Sequence, residues 1–129
     1  MKVYCRILRD VTGDLLYGEL VTLDTVNHKL ELYVKLPHVT EGADRQFYLY
    51  CGEGASYVGA TGTANAQSVW DENFVFVSHM NDQEGGTKIY DSTSNANHGT
   101  KGARAAAPTE VDGLVGKAQD FTGIKKYIN

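Results

Sequence analysis

The chain has 129 residues, 42% of them hydrophobic and 22% charged, with a net charge of -4; this is the balance of a globular protein with one ordinary domain or two small ones, not of a disordered chain. The negative charge, with Lys2 and the Lys125-Lys126 pair isolated, argues against nucleic acid, whose phosphates call for a basic patch. No apolar run approaches the roughly 20 residues that cross a bilayer, and Met1-Lys-Val-Tyr-Cys5 leads into no signal-peptide core. Membrane insertion is therefore not expected, and export would be that of an internal piece of a longer protein or of a virion protein.

Fourteen glycines, eight tyrosines and two prolines, with no helical stripe, point to strands and turns. Val3 to Arg9 is a strand candidate, and Asp10-Val-Thr-Gly-Asp14 is a turn in which Gly13 is free to take positive φ. Leu15 to Leu23 predicts the return strand, with Leu15, Tyr17, Glu19, Val21 and Leu23 on one face. A polar turn from Asp24 to Lys29 follows. Leu30, Leu32, Val34 and Leu36 then alternate with Glu31, Tyr33 and Lys35, predicting a strand covered on one face up to Pro37.

A second alternating strand runs from Gln46 to Cys51, with Phe47, Leu49 and Cys51 inward and Tyr48 and Tyr50 outward. A disulfide between Cys5 and Cys51 requires their strands to be neighbours; two free thiols are the alternative. Ala55 to Ser68 is poor in bulky residues and reads as a linker, which sets a boundary between residues 1–68 and 69–129.

In the second part, Phe74-Val-Phe-Val77 predicts a strand buried on both faces, with Trp70 packed in front of it. Asp91-Ser-Thr-Ser-Asn-Ala-Asn-His-Gly99 is a loop whose short polar side chains can satisfy its own backbone N–H groups. Gly102 to Pro108 reads as a loop, and the last residues as two short strands with a turn at Thr122-Gly123.

Two resemblances rest on these residues. From His79 through Asp91-Ser-Thr-Ser-Asn-Ala-Asn-His-Gly-Thr100 to Gly113-Leu-Val-Gly-Lys-Ala-Gln-Asp-Phe-Thr-Gly123, the chain resembles the amino-terminal part of a concanavalin A-like, laminin-G-like domain. Upstream, Tyr33-Val-Lys-Leu-Pro37 and Phe47-Tyr-Leu-Tyr-Cys-Gly52 are similar to a β-domain that precedes such lectin-like domains in bacterial surface proteins and phage virion proteins, as is the run Arg6 to Leu20. Cys51 and Glu53 depart from that pattern. The resemblances imply an all-β antiparallel sandwich, jelly-roll-like, whose two parts are cut short, the chain being either a fragment of a longer protein or a piece completed by homo-oligomerisation. They also imply a location at the cell surface, outside the cell or on a virion.

The chemistry expected from the residues is modest. His79, Asp82, Asp91, Asn95, Asn97 and His98 form the one cluster suited to an ion, with calcium on Asp82 and Asp91; a self-bonded polar loop is the competing reading, since the order departs from an EF-hand. No E-x-D-x-x-E run of a glucanase is present, and Glu19, Glu31, Asp71 and Glu72 read as solvated. Cys51 and the four histidines suggest no nucleophile with a base, so an enzyme is not expected. Sugar recognition needs aromatic faces and planar polar groups. Trp70, Tyr48, Tyr50, Tyr57 and Tyr90 supply the first, and the candidate ligand-binding set is Trp70, Tyr90, Asp91, Asn95 and Asn97. The expected role is a non-catalytic module for adhesion or glycan recognition; the alternatives are a phage tail or capsid assembly protein, and an accessory domain of a secreted glycosidase.

Overall fold

A computed structural model describes residues 5–42, 44, 46–51, 58–61, 63–123 and 125–129. The protein is all-β, and the chain divides into two compact units, Met1–Asp71 and Glu72–Asn129.

Unit 1 opens with strand β1 (Cys5–Asp10), which turns back as β2 (Leu15–Leu16). The turn forms because the Asp10 carboxylate accepts the N–H groups of Thr12 and Asp14, both at 2.9 Å, while Gly13 takes a φ of 89°. The expected continuous strand from Leu15 to Leu23 is broken at Tyr17. Leu15 and Leu16 pair with β1, and β3 (Gly18–Asp24) joins a different sheet. One run of sequence thus serves two sheets.

Strand β4 (Lys29–Val34) returns along β3 through the Asp24 turn, where Asp24 accepts from the N–H groups of Val26 and Asn27. It ends before Pro37, as expected, but its inward face is less covered than the alternation predicts: Leu30 is 47% and Leu36 38% exposed. Strand β5 (Phe47–Cys51) pairs antiparallel with β1, giving a sheet in the order β2-β1-β5. Phe47, expected inward, is 44% exposed.

The described part of the segment expected to be a linker, residues 58–61 and 63–68, is structured. Strand β6 (Val58–Ala60) runs parallel to β3, an exception to the antiparallel expectation, and completes the order β4-β3-β6. A one-turn helix α1 (Ala64–Gln67) follows, with Thr63 as its N-cap. The small residues are there for close approach: a Cβ on Gly59 would collide with Thr63 Oγ1 and Ala66 N, and Ala66 is fully buried. Both sheets feed one apolar cluster, in which Leu16 and Val58 are buried and Leu20, Leu32, Val34 and Leu49 pack against them. Burying a side chain such as Leu16 stabilises by roughly 1.5–3 kcal/mol.

Unit 2 contains a three-stranded sheet, β7 (Asp82–Gln83), β8 (Lys88–Ile89) and β9 (Gly99–Thr100), and a hairpin, β10 (Thr109–Asp112) with β11 (Lys117–Asp120). Two expectations fail here and a third holds. Phe74–Val77 is not a strand, and Phe74, Val75 and Phe76 are exposed. The last hairpin turns at Gly113–Gly116 rather than at Thr122-Gly123, with the Gly113 N–H bonded to the Gly116 carbonyl. Gly102 to Pro108 is a loop with one turn of 3-10 helix at Arg104–Ala106.

Candidate functional site

In unit 2 the polar loop is built around one carboxylate. Asp91 is fully buried, and its two oxygens accept from the N–H groups of Val77 (3.1 Å), Thr93 (2.9 Å) and Asn97 (2.9 Å) and from the Thr93 hydroxyl (2.8 Å). Burial pushes the Asp91 carboxyl up, but these four donors outweigh it and hold its pKa below the ordinary aspartate value. Asn95 donates to the carbonyls of Phe74 and Val75, and Asn97 to that of Val75. These side-chain bonds take the place of a β-ladder for the Phe74–Val77 segment, which is why an apolar, β-branched run is anchored without becoming a strand.

Tyr90 and His98 stand beside this loop with their rings 4.8 Å apart. The Tyr90 hydroxyl donates to Glu84, and His98 Nδ1 accepts the Asp91 N–H. Hydrogen bonds from Lys88 and from Tyr90 lower the Glu84 pKa, and the bond to Glu84 raises that of Tyr90. The structure therefore brings Tyr90, Asp91, Asn95 and Asn97 together, with the polar side chains of all four bonded within the unit.

The second carboxylate of the calcium expectation, Asp82, has partners of its own. Asp82 Oδ1 accepts from the buried Lys101 ammonium at 2.6 Å and from Gln119 at 2.8 Å. Asp82 and Asp91 are thus occupied by separate protein donors, and among the described residues no group of three His, Cys, Asp or Glu side chains is placed to hold a metal ion. His79, the first residue of that cluster, is buried.

Trp70, the remaining candidate, belongs to unit 1. Its indole N–H donates to Glu19 at 2.7 Å, and its ring lies 5.7 Å from that of Tyr33, whose hydroxyl donates to Glu31. Glu19 is fully buried, not solvated as expected. A signal was present: by alternation it shares a face with Leu15, Tyr17, Val21 and Leu23, and a lone carboxylate among apolar neighbours needs a buried donor.

Unit 1 also holds a cavity of about 240 Å³, which motif reasoning did not point to. Leu16, Leu36, Pro37 and Val11 give it an apolar side, and Asp10, His38, Asp44 and Gln46 a polar one. Among the described residues, none hydrogen-bonds or ion-pairs with the side chains of His38, Asp44 or Gln46. No family model, curated protein or solved structure matches the chain. The assignment of a role therefore rests on these residues alone.

Proposed function

We propose that the protein is a non-catalytic β-module of a cell surface or virion that recognises glycans, and that the ligand enters the cavity of unit 1. The observation that carries this reading is the convergence of three planar polar groups, His38, Asp44 and Gln46, none with a side-chain partner among the described residues, on an apolar surface made by Leu16, Leu36 and Pro37. Sugar recognition asks for that combination: apolar atoms for the C–H face of the ring and planar groups for its hydroxyls. At about 240 Å³ the cavity is below the ~300–1,000 Å³ of sites for drug-sized ligands, which suits a single sugar ring. On this reading Asp91, Asn95 and Asn97 shape their loop rather than contact ligand, and calcium has no part in binding. The laminin-G-like sandwich remains part of the proposal.

A glycan array probed with the full chain tests it. Binding that falls at least tenfold in Asp44→Ala and Gln46→Ala, and is kept in Asn95→Ala, supports the cavity; an array without signal removes glycan recognition.

A second reading, a virion or surface assembly part that pairs with its own copies, is favoured by unit 2, where Phe74, Val75, Phe76, Leu114, Val115 and Phe121 are all at least 42% exposed. Residues of this kind gathered on one surface would mark an interface. A molar mass in solution of two or more chains, with no glycan bound, would favour it.

A further inference from the structure

Cys5 and Cys51 are the two cysteines of the chain, and the structure makes them direct partners across the β1–β5 ladder. This pairing depends on an irregularity. Leu8 faces Leu49, and Leu49 packs on the Leu16–Val58 cluster. On β5, Cys51 lies two residues beyond Leu49 and so shares its face. On β1, Cys5 lies three residues before Leu8, and strict alternation would put it on the opposite face. The ladder shifts register between Cys5 and Ile7, one extra residue entering β1 there. That bulge cancels the offset and brings the two cysteine positions opposite one another on one face.

We propose that Cys5 and Cys51 form an intrachain disulfide that staples β1 to β5. Facing residues of an antiparallel pair have Cα atoms roughly 4.5–5.5 Å apart, inside the ~4.4–6.8 Å that a disulfide bridges. The bond forms by exchange with a small-molecule disulfide such as oxidised glutathione. One cysteine thiolate attacks that disulfide and expels a thiolate, the second cysteine thiolate resolves the mixed disulfide, and two molecules of reduced thiol leave with the electron pair. The bond closes the loop that contains β2, β3 and β4, which restricts the unfolded chain. The inference stands apart from the glycan reading, because it rests on the β1–β5 register and not on the cavity.

The test is to refold the full chain in a buffer of reduced and oxidised glutathione, block free thiols with iodoacetamide, and map the peptides without reduction. The expected result is a monomer about 2 Da lighter than the reduced chain, with no alkylated thiol and with the Cys5 peptide linked to the Cys51 peptide. Reduction should then lower the melting temperature by about 10 °C, and a Cys5→Ser, Cys51→Ser double variant should show no such response to reductant. Two alkylated thiols, a glutathione adduct on either cysteine, a linkage between chains, or a melting temperature that reductant leaves unchanged would each overturn the proposal. The peptide map needs no variant, so a double variant that fails to fold does not decide the outcome.

Discussion

The two units of this chain are held together by different means. Unit 1 has an apolar cluster drawn from two sheets, with one buried carboxylate, Glu19, held by the Trp70 indole. In unit 2 the buried apolar side chains among the described residues are Ile89 and Pro108, alongside buried His79, Asp91, Ser92, Thr93 and Lys101. Strands of two residues cannot bury much surface. Charged side chains in the middle of hydrogen-bond networks do there what leucine and valine do in the other unit. The difference teaches that an apolar run such as Phe74–Val77 need not be core, and that an aspartate in a turn-rich loop can be.

The largest effect should come from removing the centre of that network. Asp91→Ala leaves three backbone N–H groups and a hydroxyl without their acceptor, at a cost of roughly 1–3 kcal/mol for each donor that stays buried, so unit 2 is expected to unfold or lose most of its stability. Amide hydrogen exchange at Val77, Thr93 and Asn97 would report it, and a variant with native protection there would break the comparison. Leu16→Ala should cost about 2–5 kcal/mol through a cavity in the cluster of unit 1, read as a drop in the denaturant midpoint of that unit with unit 2 amides unaffected. Trp70→Phe keeps a ring beside Tyr33 and removes the donor to Glu19. A cost of about 1–3 kcal/mol is expected, and it should shrink when Glu19→Gln is added, which sharpens the view that the indole N–H is there for the carboxylate.

How far the residues announced this arrangement differs between the units for the same reason. In unit 1 the alternating positions Leu32, Val34 and Leu49 do pack inward, and the turns at Asp10 and Asp24 form where Asp, Asn and Gly predict them. Local patterning suffices when the partner is the next strand. The parallel pairing of β6 with β3 was hidden because small residues that permit close packing have the composition of a linker. In unit 2 the bonds that decide the structure link residues about twenty positions apart: Asn95 to Phe74 and Val75, and Asn97 to Val75. Period and propensity do not register side-chain to backbone bonds of that range. The self-bonded character of the Asp91 loop could be read from its composition, whereas its action on Phe74–Val77 could not. The cavity was out of reach too, since its polar groups come from the turn at Asp10 and from the connection between β4 and β5, with no motif spacing among them.

The central claim, that a buried carboxylate holds one unit and an apolar cluster the other, is tested most directly by residue-resolved hydrogen exchange as the pH is lowered. The Asp91 pKa is depressed in the folded state, so its contribution is fully present above the unfolded value of about 3.9 and is lost as the pH falls from there through the folded value. The turn carboxylates Asp10 and Asp24 titrate in the same direction but are exposed, so acid should fray those turns without opening the cluster. The predicted result is loss of protection at Val77, Thr93 and Asn97 below about pH 4, while Leu20 and Leu32 keep theirs. Simultaneous loss in both units, or protection at Thr93 and Asn97 that persists in acid after Leu20 and Leu32 have exchanged, would contradict the account.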